Sequence, residues 1–152
     1  MKVIFLDVDG VLNTIFTTRR IYSYTFVDTR KLLRLRDIVE RTGAKLVLSS
    51  TWRITDLPIH QLTHDALVAE FERVRCPLWF STTPYLPATK RWQEINAWLI
   101  LHDVEDFIIL DDWGEEEFRP MMDRLVKCDP RKGLTKERAE LAIQMLGEKN
   151  NG

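Results

Sequence analysis

Val3-Ile4-Phe5-Leu6-Asp7-Val8-Asp9-Gly10-Val11-Leu12-Asn13 decides how the rest of the chain is read. The apolar run Val3 to Leu6 reads as a buried strand, and it delivers two carboxylates at its C-terminal end. A strand alternates its faces, so Asp7 and Asp9 can converge only where the chain leaves the sheet and turns. Gly10 permits that turn. Two negative charges so placed invite a cation.

Working outward, the same punctuation recurs. Thr14 to Val27 carries an alternating Ile21-Tyr22-Ser23-Tyr24-Thr25-Phe26 and reads as a small hairpin or flap. From Asp28 the period changes: Leu32, Leu35, Ile38, Val39 and Thr42 predict a helix over about 29–42, capped by Asp28 or Thr29 and ended by Gly43. Lys45-Leu46-Val47-Leu48 is a second buried strand that stops at Ser49-Ser50-Thr51-Trp52-Arg53. Leu67, Val68, Phe71 and Val74 predict a helix from Asp65 to Arg75, and Pro77 to Ser81 a third strand. Thr83 to Pro87 is a stiff loop. A helix over Lys90 to Leu101 then leads into Asp106 to Leu110, a strand ending in Asp111-Asp112. Leu125 to Cys128 suits an edge strand, and a last helix runs from Thr135 to Gly147 with residues 148–152 as a frayed tail.

Strands alternating with helices predict an α/β fold, a three-layer sandwich around a mainly parallel, Rossmann-like sheet. At 152 residues and 45% apolar composition, residues 1–147 fit one domain. The net charge of -1 supplies no global basic field, so any nucleic-acid contact must be local. No apolar run approaches the roughly 20 residues that cross a bilayer, and the N-terminus lacks a signal-peptide core, so a cytoplasmic location is the default expectation. Cys76 and Cys128 lack metal-type spacing and read as reduced packing residues.

The polar clusters Asp7/Asp9, Ser49/Ser50, Lys90/Arg91 and Asp111/Asp112 all fall at strand or helix ends, where parallel sheets bind ligands. Together they suit phosphoryl transfer. Asp7 with Asp111 or Asp112, and the Asp9 backbone carbonyl, offer the oxygen donors that Mg2+ prefers. Asp7 could then attack phosphorus, forming an aspartyl-phosphate, while Asp9 protonates the leaving oxygen and afterwards activates water. A hydroxyl or N–H around Ser49 and Ser50, and a cation from Lys90 or Arg91, would bind the equatorial oxygens.

These residues, in this order, resemble the haloacid dehalogenase-like superfamily over essentially the whole chain. More narrowly, Asp7 to Asn13, Ser49 to Arg53, Arg91 ahead of Glu94-Ile95 and Trp98-Leu99, and Gly133-Leu134-Thr135 are similar to small bacterial and phage members, whose relatives occur inside modular RNA-repair proteins. The resemblance implies Asp7 as nucleophile, Asp9 as general acid/base, Ser49 as phosphate binder, and magnesium held with help from Asp111 or Asp112. Lys90 suits the superfamily's usual lysine, whereas Arg91 aligns better with the narrower group. Asp9 argues against carbon–halogen chemistry, which needs no acid for an alcohol leaving group. The intervals where larger relatives insert a cap domain are short here, so an open site is expected. The substrate is then a small phosphoester or a phosphorylated nucleic-acid end, with a non-catalytic metal- or phosphate-binding module as the remaining alternative.

Other signals have simpler readings. Val11-Leu12-Asn13 after a strand excludes a calcium loop of the EF-hand kind. His60 and His64 have metal-helix spacing without a third ligand. Arg53 is placed equally well on substrate or on Trp52, and Trp79, Trp92, Trp98 and Trp113 read mainly as packing. Arg19, Arg20, Tyr22, Tyr24 and Phe26 have a composition able to stack bases and grip phosphates, although hairpin packing is the plainer reading.

Overall fold

Val3 and Phe5 point to one side of the central strand, Ile4 and Leu6 to the other, and all four are fully buried. That double burial is what a parallel strand covered on both faces requires. The computed structural model describes residues 1–150. In chain order the elements are β1 (Lys2–Leu6), β2 (Arg20–Ile21), β3 (Tyr24–Thr25), α1 (Thr29–Thr42), β4 (Lys45–Leu48), α2 (Pro58–Arg73) and β5 (Ser81–Thr82). They continue with α3 (Arg91–Ile100), β6 (Asp106–Asp111), α4 (Glu115–Phe118), β7 (Leu125–Lys127) and α5 (Lys136–Leu146).

The main sheet is parallel throughout, in the order β5-β4-β1-β6-β7. On one face Ile4, Leu6, Leu46, Leu48, Ile108 and Leu110 pack against apolar residues of α1, α2 and α5. On the other, Val3, Phe5, Val47 and Ile109 meet Ile95 and Trp98 of α3, Phe118 of α4, and Met121. Phe5 stands edge-on to Trp98 and Phe107 at 5.5 and 5.7 Å, contacts worth about 0.5–1.5 kcal/mol each beyond their buried area. This is the expected three-layer α/β sandwich. Among the described residues no cap is inserted: the interval after β1 holds the β2–β3 hairpin and α1, and the chain between β4 and α3 holds α2 and the short β5.

The chain winds from β1 to β4 and β5, then crosses by α3 to β6 on the other side of β1. That reversal puts the ends of β1, β4 and β6 around one crevice. The ladders run on past the strands: Asp7 N–H donates to Leu110 O, Ser49 N–H to Leu6 O, and Thr83 N–H to Leu48 O, at 2.8–3.0 Å. The crevice residues are therefore fixed to the sheet.

Several expectations shift. Helix α2 begins at Pro58, seven residues before Asp65, because Pro at a first helical position and the Asp56–His60 contact start it with no apolar stripe. Its first turns are solvated, so their periodicity carries no signal. The strand expected from Pro77 shrinks to Ser81–Thr82: Pro77 has no N–H to donate, and pairing begins only with Phe80 N–H to Leu46 O. Asp28 stands at the α1 N-cap position, but its carboxylate accepts from Thr17 Oγ1 at 2.8 Å in place of a helix N–H. Past Gly147, Glu148 pairs with Arg41 at 2.7 Å and Lys149 N–H donates to Arg41 O, so these residues are tied to α1 where fraying was expected. Asn151 and Gly152 lie outside the described residues. No described helix is long and apolar enough to cross a membrane.

Candidate functional site

Three carboxylates meet at the head of the sheet. One oxygen each of Asp7, Asp111 and Asp112 lies within 4.8 Å of the others, although more than a hundred residues separate Asp7 from the later pair. Leu6 and Leu110 are register partners on adjacent strands, which brings the two chain exits together. Gly10, in a left-handed conformation at φ 83°, lets the chain turn directly beneath Asp112, where any β-carbon would collide with that carboxylate. The loop 129–134 braces the turn from outside, with Leu134 N–H donating to Val11 O and Ile15 N–H to Pro130 O.

The cluster's electrostatics are unfavourable as they stand. Burial pushes the Asp7 carboxyl well above the ordinary carboxylate range, the Asp111 and Asp112 charges push the same way, and Arg91 opposes them. Burial likewise raises Asp111 to about 7, against the Trp113 N–H that donates to its Oδ1 at 2.9 Å. Asp111 Oδ2 is buried with no partner. Mutually repelling carboxylates and an orphaned oxygen are what a divalent cation would satisfy.

Further buried polar atoms at the ends of neighbouring elements lack partners. Ser49 is 1% exposed and its Oγ has no hydrogen-bond partner, as is also true of Thr83 Oγ1 and Arg91 Nη1. Arg91 is 7% exposed, lies 3.9 Å from Glu94 through Nε, and carries Trp113 against its guanidinium at 5.1 Å. Ser50 instead caps the 3-10 turn Thr51–Arg53, accepting from Trp52 N–H at 3.1 Å. Lys90 is half-exposed and leans toward Glu116 at 3.7 Å. Of the two cations, it is Arg91 whose charge acts on the Asp7 carboxyl, opposing the effect of burial.

Asp9 is exposed beside the cluster and not a member of it. Asn13 Nδ2 donates to its Oδ1 at 2.9 Å and Trp52 Nε1 to its Oδ2 at 3.2 Å, while Asn13 Oδ1 accepts from Gly10 N–H. Its carboxylate is thus aimed by two donors, and it is not one of the three acids that converge. In the sequence, Asn13, Trp52 and Glu94 stand only as members of the motifs that carry the resemblance and Thr83 only as the start of a loop, none with a role of its own at the site.

Arg53 resolves to a strut. Its guanidinium donates to the carbonyls of Ser49, Ser50 and Thr83 at 2.7–3.0 Å and pairs with buried Glu94 at 3.0 Å. Arg19 is similarly occupied, bonding Val27 O, Thr29 and Glu70, so it anchors the flap to α1 and α2 and has little reach toward a ligand. Arg20 donates to Thr25 Oγ1 across the hairpin. His60 pairs with Asp56 and His64 packs on Trp79, with no metal cluster around them among the described residues. Trp98 is buried, Trp79 and Trp92 are partly so, and Cys76 and Cys128 are buried free thiols pushed up to about 12 by burial.

Residues 3–139 match the family described as "HAD domain in Swiss Army Knife RNA repair proteins". The chain belongs to this family. No curated protein and no solved structure matches it significantly. The match takes in β1 from Val3 onward and the other strands of the sheet, together with Asp7, Ser49, Arg91, Asp111 and Asp112.

Proposed function

We propose that this HAD domain, acting as one unit over residues 1–147, is a magnesium-dependent phosphomonoester hydrolase working through Asp7. The observation that carries this is the convergence of Asp7, Asp111 and Asp112 beside the unpartnered Ser49 Oγ and Arg91 Nη1. Asp7, Asp111 and Asp112, with the Asp9 carbonyl, would hold Mg2+, and the bound ion supplies the positive charge that lets an anionic nucleophile meet an anionic phosphate.

The chain's own residues then divide the work. An Asp7 oxygen attacks phosphorus as the ester P–O bond breaks, and Asp9 gives its proton to the departing oxygen. Asp9, now a carboxylate aimed by Trp52 and Asn13, takes a proton from water as that water attacks the aspartyl-phosphate. The P–O bond to Asp7 breaks, inorganic phosphate leaves, and Asp9 is again protonated. Ser49 and Arg91 stabilise the equatorial oxygens, Arg91 backed by Glu94 and Trp113; Ser50 and Lys90 stand behind them as neighbouring contacts. The absence of a cap among the described residues, and the family's description, favour phosphorylated nucleic-acid ends as a second reading with the same chemistry.

A panel of phosphomonoesters, nucleotides and phosphorylated oligonucleotides, assayed with magnesium and with chelator, tests the proposal. Metal-dependent release of phosphate from at least one class is expected. Binding of phosphate with no turnover of any class would leave a binding module in its place.

A further inference from the structure

The crevice continues into two cavities, and their linings differ in a way that sorts the substrate. One, of about 290 Å³, has Asp9 in its wall together with Tyr24, Trp52, His60 and Tyr85. The other, of about 240 Å³, has Arg91, Arg53 and Trp113 but no Asp9. They share Thr51 and Tyr85, so they lie side by side. Under the reading above, Asp9 protonates the departing oxygen, and the group attached to that oxygen must extend from Asp9. Of these two, only the first begins there; a further cavity of about 240 Å³ also has Asp9 in its wall, with Asn13, Ile15 and Asp112, but it holds no aromatic ring on which a base could stack.

Its chemistry is that of a slot for a flat, uncharged ring. Trp52 forms the floor, its ring plane held by the bond from Nε1 to Asp9. Tyr24, projecting from the flap, stands 6.5 Å from both Trp52 and His60, inclined at 63° and 66°. Tyr85, on the loop before α3, is 61% exposed and forms part of the same lining. Exposed rings gathered around one cavity are costly to keep in water without an occupant. No Lys or Arg lines the cavity, and Asp9 and Asp56 repel anions, so a second phosphate is disfavoured there. The Asp56–His60 pair, 2.7 Å apart, adds polar atoms for a ring with hydrogen-bonding edges. The volume is at the lower end of small-ligand pockets, about 300 Å³.

We infer that this cavity receives the nucleobase of the nucleotide carrying the terminal phosphate, stacked among Tyr24, Trp52 and Tyr85. The inference rests on the phosphatase reading for its orientation and on the cavity's lining for its ligand. The base sits in the slot, the sugar spans Asp9, and the phosphate reaches Asp7, Ser49 and Arg91. A free nucleoside monophosphate and the end of a strand present the same chemistry to the slot.

Binding and turnover together test it. The probe is 2-aminopurine placed as the phosphate-bearing nucleotide, either as the free monophosphate or at the end of a short oligonucleotide, with glycerol phosphate as the ring-free comparison. Tyr85→Ala and Tyr24→Ala should weaken 2-aminopurine binding, read by fluorescence quenching on stacking, by about 5- to 150-fold. Tyr85→Phe should restore it. KM for glycerol phosphate should stay within about twofold of the parent. Tyr85 is on a loop apart from the flap, so its variants keep the test valid if Tyr24→Ala loosens the hairpin. Equal losses on nucleotide and glycerol phosphate, or unaltered quenching in Tyr85→Ala, would overturn the assignment. Tyrosine-dependent binding with no turnover of any phosphoester would uphold the slot and remove the phosphatase reading instead. Comparable affinities for monophosphate and oligonucleotide place recognition in the single nucleotide, whereas tighter oligonucleotide binding that is still lost in Tyr85→Ala identifies a strand end.

Discussion

Asp111→Asn in metal-free protein should stabilise the fold at pH 8 and change nothing at pH 4. Burial is the main reason: it lifts the Asp111 carboxyl from an ordinary 3.8 to about 7, with the Asp112 charge pushing the same way and the Trp113 N–H and Arg91 pulling back. The folded-state value lies above the unfolded one, so the folded chain binds the proton more tightly. Stability from this group is complete below about pH 4 and is lost as pH rises through 7. At 1.36 kcal/mol per pH unit, the interval from 3.8 to about 7 amounts to about 4 kcal/mol by pH 8. Asn carries no titrating proton, and its amide oxygen can still accept the 2.9 Å bond from Trp113 N–H. Urea unfolding with a chelator, at intervals from pH 4 to 8, reads the difference. With a urea slope of about 2 kcal/mol/M, the midpoint of Asp111→Asn should exceed the parent's by on the order of 2 M at pH 8. Saturating magnesium should shrink or reverse the gap, because the cation binds the folded parent and relieves the repulsion. Parallel midpoints across the whole pH range would refute the claim that the fold holds this charge under strain.

Three other substitutions probe the surrounding frame. Arg53→Ala should cost about 3–5 kcal/mol in urea unfolding, because it strips the partner from buried Glu94 and the donor from the Ser49, Ser50 and Thr83 carbonyls; a loss under 1 kcal/mol would show the strut to be dispensable. Gly10→Ala should destabilise by at least about 1–2 kcal/mol from its φ of 83° alone, and calorimetry should find weaker magnesium binding because the new methyl displaces Asp112. Trp52→Phe keeps a ring in the cleft but removes the donor to Asp9, so kcat should fall about 10- to 100-fold with KM little changed; an unaltered kcat would mean that Asp9 needs no such aim.

What could be read from the sequence was whatever repeats a local rule. Leu32, Leu35, Ile38, Val39 and Thr42 are all buried on α1 as their spacing predicts, and the four buried residues of β1 and the three of β4 lie where the apolar runs are. Asp7 and Asp111 were legible because each follows such a run, and a parallel sheet brings strand ends together. The early turns of α2 were hidden because solvent, not the core, faces them. Nor could local rules distinguish Lys90 from Arg91: adjacent residues at a helix start point about 100° apart, and which one turns inward depends on Glu116 and Trp113, which approach from elsewhere in the chain, as well as on Glu94 one turn along α3. The Trp52–Asp9 bond spans 43 residues and four elements, β2, β3, α1 and β4, so no spacing rule announces it.

The central claim, that Asp7 itself takes the phosphoryl group beside a magnesium ion, is tested most directly by acid-quenching the enzyme during turnover and mapping phosphate by peptide mass spectrometry. The account predicts one phosphoryl group on the peptide containing Asp7, formed only with magnesium and absent from Asp7→Asn. Hydrolysis that continues in Asp7→Asn, or turnover in which Asp7 never carries phosphate, would contradict it.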